Sequence, residues 1–138
     1  MPIEWKAYLE TGIPIIDKQH KELFNQMQEL HAACKEQGGK AAIQEMFGFL
    51  EGYFNDHFAT EEKLFEEHEF PGMDRHVSAH DAFKEEIHEF RKDVNERGIK
   101  AMDALKMNRI LVGWLTKHIG NMDQEFAPFI KKKLGMHD

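Results

Sequence analysis

Five histidines and two acidic residues stand at spacings that let a helical chain close them around a pair of metal ions. They are His20, His57 with Glu61, His76 with His80, and His118 with Asp123. Residues four apart in an α-helix are separated by roughly 40°, so His57 shares a face with Glu61, and His76 with His80. Each of the seven falls in or beside an apolar stripe that must face a core, where an ionisable group is costly unless something pairs with it. His118 and Asp123 are five apart, about 140° in a regular helix. Both reach one site only if the helix is distorted between them, so a π-type bulge or a break is expected, with Gly120 as the weak point.

Seven ligands exceed the four that a zinc ion takes. Two octahedral ions offer about twelve positions, and imidazole with carboxylate suits iron. Five imidazoles and two bridging carboxylates fill all but three of these. A bridging oxygen takes two more, and one position stays open for a small molecule.

Taken singly, these signals are weak. A lone core histidine is usually a satisfied structural residue, and His20 alone would read that way. HxxxE and HxxxH pairs are also common on solvated helix faces. Glu62 competes with Glu61 as the carboxylate, but Glu61 has the better spacing to His57. His31 lies close to the stripe of His20 but too far along the axis, which gives it a structural or solvent-channel role. His68, His88 and His137 read as surface residues. Glu85 and His88 form one ExxH pair, and carboxylate-rich ferritin-type sites need two.

Four helical patterns must position the seven. The first runs from about Asp17, a plausible N-cap, to Gln37, with Ile16, His20, Leu23, Met27, Leu30 and Cys34 inward, and Gly38-Gly39 stops it. The second runs from about Lys40 to Glu67, with Ile43, Met46, Phe47, Leu50, Phe54, His57, Glu61 and Leu64 on one face. After a turn at Pro71-Gly72, the third runs from about Met73 to Glu96, with His76, His80, Phe83, Ile87, Phe90 and Val94 inward. The fourth runs from about Met102 to Leu134, with Leu111, Trp114, Leu115 and His118 inward and an interruption near Gly120 or Pro128. Residues 1–16 read as an arm laid on the domain, anchored by Trp5. Strand signals are absent and connections are short. The expected fold is therefore all-α: an antiparallel up-down-up-down four-helix bundle over 17–134, with an N-terminal arm, in a single domain spanning 1–138. In that topology all four ligand sets fall at the same end of the bundle.

Composition narrows the function. The chain has 138 residues, 31% charged and 41% hydrophobic, and a net charge of −7 that argues against nucleic acid. No run is apolar enough to cross a bilayer, and MPIEWKAYLE does not read as a secretory signal. The single cysteine, Cys34, excludes an internal disulfide and fits a reducing, cytoplasmic setting. The basic run Lys131–Lys133 reads as cation stabilisation of a helix C-terminus. No apolar stripe is left over outside the core, so a monomer is expected.

Several stretches together resemble the hemerythrin family, in particular its single-domain bacterial members. They are Trp5, GIPIIDKQH over 12–20, HFATEE over 57–62, HVSAH over 76–80, and WLTKHI over 114–119 followed by Asp123. The resemblance covers nearly the whole chain. It implies two iron ions (Fe2+/Fe3+) with an oxo or hydroxo bridge, and a non-haem centre that binds dioxygen. By position, His76, His80 and His118 would hold one iron, while His20 and His57 would hold the second, with the open position. Glu61 and Asp123 would bridge them. Leu23, Phe58, Trp114, Leu115 and Ile119 match the family's apolar dioxygen pocket. An excess of imidazole over carboxylate favours ferrous iron and hence binding over oxidation. Reversible oxygen storage or delivery to an oxygen-consuming enzyme is therefore expected ahead of a sensor or a di-iron peroxidase or oxidase.

Overall fold

The computed structural model describes residues 9–35 and 39–135. It contains helices α1 (Pro14–Lys35), α2 (Gly39–Tyr53), α3 (Ala59–Glu67), α4 (Met73–Arg97), α5 (Ala101–Gly113) and α6 (Asp123–Lys133). Two π-helical segments are spliced in without interrupting the rods: π1 (Phe54–Phe58) joins α2 to α3, and π2 (Trp114–Met122) joins α5 to α6. The result is four rods, α1, α2–π1–α3, α4 and α5–π2–α6, in an all-α bundle. Rods one and two are antiparallel, because His20 near the start of α1 meets His57, late in the second rod.

Helix α1 begins earlier than Asp17. Pro14 takes the first helical position, where its fixed φ suits the helix and its missing N–H would have had no partner anyway. The Asp17 carboxylate instead reaches back across that turn. It accepts bonds from the Thr11 N–H at 2.7 Å, the Thr11 hydroxyl at 2.8 Å and the Gly12 N–H at 3.0 Å. This ties the preceding loop, where Gly12 takes a positive φ of 84°, to the helix. The arm therefore ends at Ile13, and Trp5 lies outside the described residues. In the fourth rod the irregularity falls at Gly120 and its neighbours, and α6 runs straight through Pro128. Segment π1 has no counterpart among the sequence expectations.

Apolar periodicity becomes burial along most of the chain, though in the second rod Tyr53, Phe58 and Phe65 are buried where Phe54 and Leu64 were expected, and those two are half-buried. The inward set of α4 is His76, His80, Phe83, Ile87, Phe90 and Val94, and these six are its buried residues. The core is split in two. A large cluster fills most of the bundle around Leu23, Met27, Leu50, Phe58, Ile87, Leu111 and Leu115. A small one, with Ile13, Ile16, Phe65, Phe126, Ala127 and Ile130 buried, closes the opposite end. Between them lies a layer of buried polar side chains: His20, His57, Glu61, His76, His80, His118 and Asp123.

Candidate metal centre

All seven side chains converge. They form two overlapping buried sets, Glu61 with His76, His80 and His118, and His20 with His57, Glu61 and Asp123, and within each set the donor atoms lie within 4.8 Å of one another. The five-residue gap between His118 and Asp123 is closed by π2, whose wider turn places residues five apart on one face. The distance from His118 Nε2 to Asp123 Oδ1 is 3.1 Å.

The contact distances carry chemical information. His20 Nε2 is 2.9 Å from His57 Nε2, and His76 Nε2 is 3.0 Å from His118 Nε2. His80 Nε2 is 3.0 Å from Glu61 Oε1. Asp123 Oδ2 is 2.9 Å from His20 Nε2, and its Oδ1 is 2.7 Å from His76 Nε2. Neighbouring ligands on an octahedral ion with bonds of roughly 2.1 Å lie about 3.0 Å apart, against about 3.4 Å on a tetrahedral ion. These five contacts fit the octahedral spacing, while Glu61 Oε1 stands farther from His57 Nε2 and His76 Nε2, at 3.4 and 3.7 Å.

Proton positions point the same way. His57 Nδ1 donates to Gln19 Oε1 at 2.7 Å, and His80 Nδ1 donates to Glu62 Oε2 at 2.9 Å. A neutral imidazole whose Nδ1 carries the proton has a bare Nε2. Both bare nitrogens therefore face into the layer, toward carboxylates. Neither oxygen of Asp123 is in hydrogen-bond geometry with any described residue, nor is Glu61 Oε2. Bare imidazole nitrogens and carboxylate oxygens gathered this closely form a donor set suited to a cation.

Without ions, the layer is held in a compromise. Burial, then the neighbouring Asp123, push Glu61 well above the usual carboxylate range. Burial also opposes ionisation of Asp123, but the imidazoles of His118, His20 and His76 outweigh it and hold this carboxyl well below its ordinary value. Burial and the neighbouring imidazoles push His57 well down and His80 down to about 2, and burial lowers His118. Neutral imidazole is the form that a metal requires.

A model of the hemerythrin HHE cation-binding domain matches residues 11–130. The chain belongs to the hemerythrin family. It is similar to the bacteriohemerythrin of Stenotrophomonas maltophilia, 32% identical over 130 residues that cover 94% of this chain and 82% of that one. The bacteriohemerythrin of Pseudomonas aeruginosa is 34% identical over 132 residues, with the same shares covered. That of Campylobacter jejuni is 25% identical over 119 residues, 86% of this chain and 88% of its own. Hemerythrin membership makes this a protein of the non-haem di-iron, oxygen-binding type, with buried clusters able to hold metal. Among the described residues no helix is long and apolar enough to cross a membrane.

Around the layer, Leu23, Phe58, Trp114, Leu115 and Ile119 are all buried in the large cluster of this hemerythrin. Phe58 lies flat on His80, with ring centres 3.9 Å apart and 2° between planes, and Trp114 lies on His118 at 3.8 Å and 10°. Tyr53 is the ring that stacks on His57, at 4.7 Å and 24°. From the other side Phe65 packs on His76, 4.6 Å away. Gln19 and Glu62 are the supporting residues that spacing did not reveal. Each is next in sequence to a ligand candidate but points off its stripe, toward a partner on another helix. Glu85 and His88 are exposed and outside the layer, and His31 is half-buried.

Proposed function

We propose that this hemerythrin binds dioxygen reversibly at a di-iron centre, for storage or for delivery to an oxygen-consuming enzyme. One observation carries the proposal: five imidazole nitrogens and two carboxylates converge in two buried sets that share Glu61, with Asp123 in contact with imidazoles of both. His76, His80 and His118 would hold one iron and His20 and His57 the other, with Glu61 and Asp123 across both. The reading takes 1–138 as one domain, acting as a monomer in the cytoplasm.

The bound irons would supply one electron each to hold dioxygen. The chain's own residues do the rest. Gln19 and Glu62 keep protons on the outer nitrogens of His57 and His80, which aims the inner lone pairs at the centre. Phe58 and Trp114 lock two rings by stacking. Leu23, Leu115 and Ile119 exclude water and free anions, which would drive irreversible oxidation. Two carboxylates against five imidazoles leave little anionic charge to stabilise iron above the ferric state. Among the described residues the layer holds no buried carboxylate or imidazole beyond the seven candidate ligands. This favours binding over peroxidase or oxidase chemistry.

The test is a cycle. The iron-loaded protein is reduced without oxygen, oxygen is admitted, and oxygen is then removed under argon. A visible absorption band that rises and falls over repeated cycles is expected. A single conversion to the oxidised form, with peroxide released, would point to an enzyme or a redox sensor. One zinc per chain on metal analysis would overturn the reading.

A further inference from the structure

The side of the layer occupied by His20 and His57 is not bounded by hydrocarbon alone. Tyr53 sits four residues before His57, stacks on its ring and meets Phe58 edge-on at 5.4 Å. It is 5% exposed and belongs to the same buried cluster as Leu23, Trp114, Leu115 and Ile119. Its hydroxyl is buried with no hydrogen-bond partner among the described residues, and so is the indole nitrogen of Trp114.

Two orphaned donors in a close-packed core call for an explanation. A buried hydroxyl or indole N–H ordinarily finds a partner, and leaving one unmade costs about 1–3 kcal/mol. Phenylalanine would fill the space of Tyr53 without that cost. Nor do the two groups satisfy each other. The Tyr53 hydroxyl and the Trp114 N–H are not in hydrogen-bond geometry with one another. A phenol ordinarily holds its proton up to about pH 10, so the Tyr53 hydroxyl is a donor at neutral pH. Both groups therefore present a hydrogen, and the missing partner is an acceptor. Close packing around them limits that acceptor to a few atoms.

We infer that Tyr53 and Trp114 form a two-donor cradle for the outer atom of a small, negatively polarised ligand bound on the His20–His57 side. This rests on the di-iron reading and makes the pocket selective. An apolar wall rejects anions indiscriminately, whereas two donors at its end favour a short linear ligand that extends far enough to reach them.

Azide is a suitable probe, since it is short, linear and anionic and gives a charge-transfer band on ferric iron. The iron-loaded, oxidised protein and its Tyr53→Phe variant are titrated with azide and followed by absorbance. Iron content is measured alongside, and the stretching frequency of bound azide is recorded in H2O and D2O. The variant is expected to keep its iron and to bind azide about tenfold more weakly, equivalent to about 1.4 kcal/mol. The D2O shift of the azide stretch should be present in the wild type and smaller in the variant, where only the Trp114 N–H remains to donate. Equal affinity with no isotope difference would overturn the inference and leave the hydroxyl to a trapped water. A variant that loses iron would mark Tyr53 as a structural group and would also overturn it. If the wild-type protein itself holds no iron pair and shows no azide band, the di-iron reading fails instead.

Discussion

Replacing His76 by Ala separates a ligand from a core residue, because the two roles have different signatures. His76 is 2% exposed. Its Nε2 lies 2.7 Å from Asp123 Oδ1 and 3.0 Å from His118 Nε2, and its ring packs on Phe65 and Phe126 at 4.6 and 5.3 Å. Truncation leaves a ring-sized cavity, for which about 2–4 kcal/mol is expected with or without metal. If His76 is a ligand, a second loss appears only with iron. A hundredfold weaker iron dissociation constant removes about 2.7 kcal/mol of the stabilisation that bound metal provides. At about 3–4 °C per kcal/mol for a chain of this size, the gap between iron-loaded and iron-free melting temperatures should shrink by roughly 10 °C. The assay is anaerobic thermal melting of wild type and variant, each with and without ferrous iron, beside metal analysis. An equal gap in the two proteins, at equal iron content, would refute the assignment, however much both melting temperatures had fallen.

Three further outcomes follow from the structure. Leu115→Ala removes a buried side chain from the proposed pocket wall. It should cost about 2–4 kcal/mol of stability and speed autoxidation while iron stays bound, and an unchanged autoxidation rate removes Leu115 from the pocket. Gln19→Leu and Glu62→Ala each strip the outer partner from a ligand imidazole. Iron affinity should fall about 10–100-fold in a chelator competition, with iron-free melting little changed; wild-type affinity in both would show the imidazoles need no such support. Away from the centre, Arg97 grips the Asp103 carboxylate at 2.7 and 3.0 Å and the Lys100 N–H adds a bond at 2.7 Å. Chiefly through the Arg97 bonds, this pulls its pKa down to about 2. The folded pKa lies below the unfolded value of about 3.9, so this contribution is present above pH 4 and is lost as pH falls toward 2. Asp103→Asn should lower the stability of the iron-free protein at neutral pH and flatten its pH dependence over that window; an unchanged slope there would count against the pairing.

Much of this hemerythrin was legible in its sequence because the bundle reads residues through one periodicity. The inward stripe of α4 and the shared faces of His57 with Glu61 and His76 with His80 needed nothing beyond helical geometry. The irregularity at π2 could be anticipated because His118 and Asp123 sit at a spacing that an ordinary helix cannot reconcile. π1 gave no such warning, since the spacing of His57 to Glu61 suits an α-helix as it stands. The start of α1 was misplaced because an aspartate in a first turn resembles a cap, whereas Asp17 closes the loop before it. Gln19 and Glu62 were hidden for a different reason. Their partners lie 38 and 18 residues away in the chain, and no local pattern encodes a bond between helices. Likewise, adjacency to a ligand did not tell which ring Phe58 and Trp114 would cover.

The division of the core has a consequence for how the molecule comes apart. Ile13, Ile16, Phe65, Phe126, Ala127 and Ile130, with the partly buried side chains around them, form a much smaller group than the main cluster, and a layer of buried polar groups separates the two. The protein therefore has a robust half and a conditional half. With the layer neutralised by ions, opening of the small end costs nearly as much as opening the whole bundle, and the two behave as one cooperative unit. Once the ions leave, that end becomes a separate, weaker unit that opens on its own. Amide hydrogens of α3, of α6 and of the first turns of α1 and α4 would then exchange far sooner than those around Leu50 and Leu111. Loss of the metal would be felt as fraying at one pole well before the chain unfolds.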